Sequence, residues 1–420
     1  MLQKPKGTKD ILPSESFKWN YVESTAKYQV FENYGFKEIR VPTFEYTELF
    51  QRGVGDTTDI VQKEMYTFED KAGRSLTLRP EGTAGIIRAY IENGLSSKTS
   101  PVKLWYRMPV FRYENVQKGR DREFNQIGCE IIGSNSYLAD VEVINVAYSI
   151  LKELKLDKTI ELNINSIGCP TCRKEYQKAL KEFISAKLEQ YCDTCKTRFD
   201  KNPLRILDCK EEKCKKLNEG APIILDYLCE ECKEHFENVK NTLNGLKIKY
   251  KVDPNIVRGL DYYTKTVFEF VSKEEEYTVI GGGRYDGLVK ELGGPDTPAV
   301  GFGLGEERLI SLVAKNKDIK EFYTELFIAT MGENRQIIKA LNLANELRKY
   351  ISVETDINSR SLNAQLKYAN KINAEMLIVI GDEELKNNVG KIKNMKTGIE
   401  YDVELNEREI FETILDMDEE

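Results

Sequence analysis

Two stretches of strand-like alternation, separated by a short charged loop, set the strongest constraint on this chain. In the first, Val102, Leu104, Tyr106 and Met108 alternate, and the run continues to Tyr113; the second runs from Glu123 to Ile132. The loop between them, Glu114 to Arg122, carries Lys118, Arg120 and Arg122. Two neighbouring strands joined in this way imply an antiparallel pair. Residues of equal parity share a face of a strand. Phe124, Gln126 and Glu130 therefore point one way and Ile127 and Ile131 the other. The polar side is either a ligand-lined sheet face or a solvent-exposed one.

Around that pair the periodicity is mixed. Apolar spacing predicts a helix over Phe17 to Tyr34, followed by Gly35 and a strand from Phe36 to Val41 that Pro42 ends. A short strand, Ser75 to Leu78, precedes a helix from Ala84 to Ile91. Residues 168–240 change character: eight of the nine cysteines fall there, among many Lys and Glu at helical spacing. Strand texture returns at Ile256 to Val271 and Tyr277 to Gly283, then Leu292 to Gly305 reads as a Gly/Pro-rich connection and Glu306 to Val313 as a helix. Beyond a charged linker near residues 315–324, strands alternate with helices, which suggests a small α/β domain with a largely parallel sheet. The expected division is a first part at 1–167, an inserted, mostly helical cysteine-rich domain at 168–240, a second part at 241–321 and a terminal domain at 325–420. The acidic tail, Asp416 to Glu420, receives no role.

Composition removes several classes of function. A chain of 420 residues is long enough for roughly two or three domains. No run of about 18 apolar residues exists, so no transmembrane helix is expected. The first residues lack the apolar stretch of a signal peptide, and a cytoplasmic location is expected. Nine cysteines without an export signal point to reduced thiols or a metal site rather than disulfides. The net charge of −7 argues against a polybasic nucleic-acid coat, although local basic surfaces remain open. With one histidine, His235, neither a chymotrypsin-like triad nor a histidine-rich metal site is expected.

Several constellations could carry chemistry. Arg112, Arg258 and Arg308 offer permanent positive charge in a fork that matches phosphate oxygens, or else three unrelated surface ion pairs. Glu81-Gly82-Thr83 could clamp an ammonium group or cap the helix that follows. Gly281-Gly282-Gly283 and Gly301-Phe302-Gly303-Leu304-Gly305 permit close backbone approach, but neither is a dinucleotide fingerprint and no P-loop lysine pattern occurs. Any use of ATP must come from another fold. Cys169/Cys172, Cys192/Cys195 and Cys229/Cys232 are CxxC pairs, and Cys209/Cys214 is a looser fourth. They are structural zinc ligands, with Cys192, Cys195, Cys209 and Cys214 the nearest group, or unpaired thiols; no metal ligand is assigned on spacing alone. His235, three residues after Cys232, is read on an exposed helical face.

Taken together, certain segments resemble the bacterial histidyl-tRNA synthetases, class II aminoacyl-tRNA synthetases. They are Gly7 to Pro13, Thr77-Leu78-Arg79-Pro80-Glu81-Gly82-Thr83, Phe111-Arg112-Tyr113-Glu114, Gln117 to Arg120, Val257-Arg258-Gly259-Leu260-Asp261-Tyr262-Tyr263, Gly281 to Asp286 and Gly301 to Leu309. The resemblance covers essentially the whole chain. It implies an α+β fold: the class II antiparallel sheet flanked by helices, a helical insertion and a C-terminal α/β anticodon-binding domain. It implies a ligase that activates L-histidine with ATP to histidyl-adenylate and pyrophosphate, then transfers histidine to the terminal ribose of histidine tRNA. Mg²⁺ is the implied cofactor, and a homodimer is implied by the Gly35 to Pro42 segment.

The same resemblance implies residue roles. Arg112, Arg258 and Arg308 are the catalytic arginines, Arg112 and Arg258 at the α-phosphate and Arg308 at the γ-phosphate. Arg112, Glu114, Phe124 and Arg308 bind ATP, with Phe124 on the adenine. Glu81, Gly82 and Thr83 hold the histidine ammonium, Arg112 and Arg258 serve its carboxylate end, and Glu130 and Tyr263 bond the imidazole, with Gln126 and Tyr262 completing the pocket. Imidazole recognition suits a carboxylate and a phenol, which can serve both ring nitrogens. Arg120, Arg360, Lys367 and Lys371 are the candidate tRNA contacts. The cysteine-rich insert is not general in the family, so no metal there is implied. A regulatory subunit of ATP phosphoribosyltransferase, related to the same catalytic domain, would lack the terminal domain and carry eroded motifs, whereas all three arginines are present here.

Overall fold

The computed structural model describes residues 2–55, 58–207, 209, 211–256, 259–315, 319, 321 and 323–419. The chain divides into two compact units, Met1–Ile319 and Lys320–Glu420.

The strands of the first unit, in chain order, are β1 (Lys37–Glu38), β2 (Phe44–Tyr46), β3 (Thr67–Glu69), β4 (Ser75–Leu78), β5 (Val102–Phe111), β6 (Glu123–Ile132), β7 (Ile160–Ser166), β8 (Lys251–Val252), β9 (Thr264–Ser272), β10 (Thr278–Arg284) and β11 (Ala299–Gly305). β2, β4 and β3 form a small sheet of their own. The others form one sheet in the order β1-β5-β6-β11-β10-β9-β7-β8. It is antiparallel throughout its middle and parallel only at its two ends, β1 with β5 and β8 with β7. The β5–β6 pairing matches the alternation in the sequence: Leu104 lies opposite Glu130, Met108 opposite Gln126 and Val110 opposite Phe124.

Helices cover this sheet. Among them are α1 (Pro13–Ser24), α2 (Thr47–Val54), α3 (Thr83–Glu92), α4 (Tyr137–Glu153), α5 (Pro170–Ser185), α6 (Asp193–Lys201), α7 (Glu212–Leu217), α8 (Glu230–Gly245), α9 (Leu288–Glu291) and α10 (Glu306–Val313). α1 continues into a π-helical stretch to Phe31, and Gly35 takes a φ of +75° where the chain turns toward β1. α4 starts on Ser136, whose hydroxyl accepts the Leu138 N–H, an N-cap that satisfies one orphan donor. Ile127, Cys129 and Ile131 of β6, with Phe302 and Leu304 of β11, pack against Val143, Ile144, Ala147 and Ile150 of α4 and Val239 and Leu243 of α8. That apolar layer leaves the opposite face of β6, β11 and β10 for a site. α5, α6 and α7 lie between β7 and α8 and share a separate small core of Tyr176, Leu180, Ile184, Cys195, Ile206, Cys214 and Ile224.

Three sequence expectations change. The end of the stretch taken as a connection, Ala299–Gly305, is a central strand between β6 and β11's other neighbour, β10. Its glycines hide it, because glycine is depleted in strands. They are there because a Cβ on Gly301 would overlap the Glu130 carboxylate and one on Gly303 would overlap the Gln126 amide. His235 is buried rather than exposed: α8 packs on α4, bringing its Nε2 to 3.4 Å from Asp140 Oδ1 and its ring edge-on to Tyr137. Arg284, fully buried, bonds the same carboxylate through Nε at 3.0 Å.

The second unit holds β12 (Leu326–Thr330), α11 (Asn334–Leu347), β13 (Val353–Thr355), α12 (Leu362–Lys371), β14 (Met376–Ile380), α13 (Asp382–Asn387), β15 (Val389–Asn394), β16 (Glu400–Glu404) and α14 (Glu407–Glu419). The sheet order is β13-β12-β14-β15-β16. β13, β12 and β14 are parallel, but β15 and β16 add an antiparallel hairpin, so the sheet is mixed rather than largely parallel. Only Gly390, Ile392 and Val403 of that hairpin are buried, and its outward Lys and Glu mask the alternation. No helix among the described residues is long and apolar enough to cross a membrane.

The bare β11 makes a test. Gly301→Ala would force the new methyl into the Glu130 carboxylate and the Cys129 carbonyl. Overpacking of this kind costs about 1–3 kcal/mol or more, so a clear drop in thermal midpoint is expected by calorimetry, where a surface Gly→Ala control such as Gly245→Ala, with nothing near its Cβ, should not show one.

Candidate active site

The site rests on the sheet face opposite α4. The strand register sets Gly301 beside Glu130, Gly283 beside Gly301, and Gly281 beside Gly303. This row of positions without side chains forms a floor on which a ligand can lie against the sheet itself. Side chains rise only at its edges, and they make a cavity with two halves. Arg112, Gln126, Gly281 and Gly303 belong to both.

The deeper half is polar and lined largely by buried side chains. Its rear wall is Glu130, whose carboxylate accepts from the Thr83 hydroxyl at 2.8 Å and from the Tyr285 phenol at 2.5 Å. Burial pushes the Glu130 carboxyl up to about 8; the two hydroxyl donors oppose the shift and the neighbouring Glu81 adds to it. Glu81 follows β4 and is itself buried; it accepts the Thr83 and Ala84 backbone N–H groups, both at 2.8 Å, and so caps α3 while lining the cavity. Burial raises its carboxyl too, against those two hydrogen bonds. The ammonium-clamp and helix-cap readings of Glu81-Gly82-Thr83 are thus compatible. Arg79 fixes the turn by donating to Pro109, Val41 and Pro42 carbonyls at 2.7, 2.8 and 3.0 Å.

Tyrosines complete this half. Tyr262 packs 4.8 Å from Tyr263 and 5.4 Å from Tyr285 between ring centroids. Burial, and then neighbouring phenols and carboxylates, hold the phenols of Tyr106, Tyr262 and Tyr285 well above their ordinary range, so all three stay neutral. The Gln126 Oε1 is buried with no partner among the described residues, an acceptor left for a ligand donor.

The outer half is basic. Arg112 donates through Nε to the Pro80 carbonyl at 2.8 Å, and its guanidinium lies 5.4 Å from the Phe124 ring centroid. Arg308 donates to the Gly119 carbonyl at 2.9 Å and the Thr278 carbonyl at 2.7 Å, which ties α10 to the β5–β6 loop and to β10. Burial, and after it the like charge of Arg120, lowers the Arg308 pKa, with Arg112 acting the same way. Arg120 lines this half and pairs with Glu114 at 3.5 Å. Glu307 also lines it; one oxygen accepts the Asn125 N–H at 2.7 Å, and the other is buried without a partner among the described residues.

Glu81, Thr83, Gln126, Glu130, Tyr262 and Tyr263 therefore converge in one half, Glu114, Phe124 and Arg308 in the other, and Arg112 at the junction. Gly82 caps α3 behind them, where a Cβ would press on the Tyr106 ring. Arg258 lies outside the described residues. In the second unit Arg360 pairs with Asp356 at 3.1 Å and lies 4.2 Å from the Tyr368 ring centroid, while Lys367 and Lys371 are exposed one turn apart on α12.

Two residues escaped the sequence reading, Tyr106 and Tyr285. A signal existed for Tyr106: Gly128 sits at the same parity as Gln126 and Glu130, and a Cβ there would overlap the Tyr106 hydroxyl that leans across from β5. Tyr285 has none, since its bond to Glu130 depends on where Arg284 pins the end of β10, through Asp140 and the Ser134 and Ser136 carbonyls.

The raised Glu130 carboxyl yields a pH prediction. Between its ordinary value of 4.5 and about 8 the folded chain holds a proton that the unfolded chain has released. Stability falls through that window as pH rises, by about 1.4 kcal/mol per pH unit for one proton. Glu130→Gln keeps the shape and removes the titration. Its thermal midpoint relative to the unsubstituted chain should climb from pH 5 to pH 8; parallel pH profiles would show that the carboxyl is not held protonated.

A family model described as histidyl-tRNA synthetase matches residues 7–309, and one described as an anticodon binding domain matches residues 325–414. A histidine–tRNA ligase of Clostridium botulinum is 54% identical over 408 residues, covering 96% of this chain and 97% of that protein. The structure of apo Staphylococcus aureus histidyl-tRNA synthetase superposes with a TM-score of 0.81 at 41% identity, over 96% of this chain and 98% of that one. Histidyl-tRNA synthetase from Nostoc shares the fold at a TM-score of 0.72 and 22% identity, over 99% of both chains.

Proposed function

The chain belongs to the histidyl-tRNA synthetase family, and from that premise we propose how its two-part cavity carries out the activation of histidine. The reaction is ATP-dependent ligation of histidine to tRNA. The observation that supports this reading of the cavity is the shared position of Arg112 between a buried polar half and a basic outer half. Adenylate formation requires the amino-acid carboxylate and the nucleotide α-phosphate to meet at one point, and a single guanidinium can bond both.

Histidine enters with its imidazole toward Glu130. A neutral imidazole offers one N–H and one lone pair. Glu130, holding its proton up to about 8, donates to the lone pair, and the Tyr263 phenol oxygen accepts the N–H. Glu81 and the Thr83 hydroxyl receive the ammonium group, Gln126 offers its unpartnered oxygen, and Tyr262 closes the wall. A pocket of paired polar groups rejects apolar side chains strongly, because those groups would be left unsatisfied. The histidine carboxylate then points out at Arg112.

ATP occupies the outer half. Adenine packs on Phe124, Arg308 takes the γ-phosphate, and Arg112 takes the α-phosphate, joined by Arg258 on the strength of the family resemblance. Attack of the carboxylate oxygen on the α-phosphorus forms the mixed anhydride and releases pyrophosphate, so positioning and charge stabilisation carry the step. The donor set also fits a magnesium ion: Glu307, whose buried second oxygen has no partner among the described residues, and Glu114 would hold it with hard oxygen ligands. When bound, that ion would neutralise phosphate charge. In the second step a terminal ribose hydroxyl of histidine tRNA attacks the anhydride carbonyl, loses its proton and forms the histidyl ester, as the C–O bond to the phosphate breaks and AMP leaves. Arg120 stands at the open mouth, and Arg360, Lys367 and Lys371 offer an RNA face on the second unit, where the Arg360–Tyr368 stack suits a splayed base.

The same reading assigns catalytic parts to 1–167 and 241–321, an insertion to 168–240 and an anticodon-binding domain to 325–420, and places the enzyme in the cytoplasm as a homodimer. Exposed Phe44, Tyr46 and Phe68 on the small sheet, next in sequence to β1, favour a partner surface there.

Exchange of radiolabelled pyrophosphate into ATP, run with each of the twenty amino acids, tests the assignment. Histidine alone should support it. Arg112→Ala should lower the rate by about 10²–10³, the effect of removing a donor that serves the transition state, and Arg258→Ala should abolish most of it. Folded, magnesium-supplied protein without histidine-dependent exchange would overturn the reading.

A further inference from the structure

The insert brings its eight cysteines into two groups of four: Cys169, Cys172, Cys229 and Cys232, and Cys192, Cys195, Cys209 and Cys214. Within each group every sulfur lies within 4.8 Å of the others. The Cys169–Cys172 sulfurs are 3.5 Å apart and the Cys192–Cys209 sulfurs 3.8 Å. Those separations are too long for disulfides. They match the edge of a tetrahedron around zinc, about 3.8 Å for Zn–S bonds of about 2.3 Å. A four-iron cluster would spread its cysteines around several metal atoms, whereas these sulfurs surround the space of one ion.

Helix starts gather the sulfurs in both groups. Cys169, Cys192 and Cys229 each immediately precede a helix, and Cys172, Cys195 and Cys232 each lie in the first turn of the same one. Backbone N–H groups point at the sulfurs from across each group, Cys229 N to Cys172 Sγ at 3.1 Å and Cys192 N to Cys214 Sγ at 3.4 Å. Such donors orient metal-bound thiolates.

The groups occupy different places. The first joins the start of α5 to the start of α8, the entry and exit of the insert. Beside it, Arg173 donates to the Tyr263 carbonyl at 3.2 Å. The second brackets the segment carrying Asn202 and Arg205. Arg205 donates to the Gly259 carbonyl at 2.8 Å and to Asp261 at 3.2 Å, and Asn202 donates to Asp261 at 3.1 Å. Every one of these bonds ends on the Gly259–Tyr263 segment, which lines the deeper half of the cavity.

We propose that each group of four cysteines binds one Zn²⁺ as a tetrathiolate, and that the two ions hold the insert in the shape that grips the Gly259–Tyr263 segment. The metal assignment stands on the cysteine geometry alone; the gripping role rests on the histidine reading of the cavity.

The full-length chain, purified under reducing conditions without added metal, should contain two zinc ions, one per group. Cys195→Ser and Cys232→Ser should each lower that to one. Should either variant fail to fold, cobalt exchange into the unsubstituted protein gives the same answer, through the visible absorption of tetrahedral cobalt bound by four thiolates. Stripping zinc from the unsubstituted enzyme should raise KM for histidine in pyrophosphate exchange about five- to tenfold, the effect of one or two positioning hydrogen bonds, and leave KM for ATP in place; zinc should restore it. Protein that carries no metal and gives no cobalt spectrum, or that carries iron, overturns the metal assignment. Two zinc ions with an unchanged histidine KM after stripping, or with both KM values rising together, overturn the gripping role. Zinc-loaded protein with no histidine-dependent exchange counts instead against the function proposed above.

Discussion

The Glu130 carboxylate can be buried only because the strand beside it carries no side chains. Gly301 lies directly opposite Glu130 in the β6–β11 register, and Gly303 and Gly281 extend the bare strip toward the outer half. A side chain at Gly301 would occupy the space of the carboxylate itself. The acid is thus held against the sheet backbone, shielded from water, with the Thr83 and Tyr285 hydroxyls as its donors. A carboxyl at that depth favours its neutral form, and this one holds its proton up to about 8 despite the two hydroxyl donors.

From that constraint the surrounding architecture follows. Tyr285 reaches Glu130 because Arg284, the residue before it, is locked by Asp140 and two carbonyls beneath the sheet. Burial raises the Asp140 carboxyl, but His235 and Arg284 outweigh it, and the net shift is downward. The buried ion pair therefore sits on the α4 side of the sheet and sets the geometry of a neutral, hydrogen-bonded group on the other. Removing either member would leave a buried charge uncompensated, which is the reason such pairs act as positional anchors rather than as sources of net stability.

The two halves of the cavity divide their physics in the same way. The deeper half keeps its phenols neutral and works by matched hydrogen bonds, which distinguish one side chain from another. The outer half keeps permanent positive charge on Arg112 and Arg308, each tied to backbone carbonyls that fix its direction. Preorganised charge of that kind acts on whatever negative charge develops between the halves. Among the described residues, the insert reaches the Gly259–Tyr263 segment of the deeper half through Arg173, Asn202 and Arg205.

The sequence by itself determined the β5–β6 pair, the parity that groups Phe124, Gln126 and Glu130, the apolar layer behind them and the family to which the motifs belong. Alternation and spacing are local, and a strand face follows from counting by two. What only the tertiary structure decided are contacts between residues far apart in the chain. β11 reads as a connection until Glu130 is seen above Gly301. Tyr285 acquires its position from the end of β10, a strand whose neighbours the sequence does not name. His235 reads as a surface residue until α8 meets α4. The CxxC pairs are visible in the sequence, but the closing of Cys169 and Cys172 onto Cys229 and Cys232 requires the starts of α5 and α8 to meet. Each of these depends on chain segments brought together by burial of a common core, and burial has no local period to read.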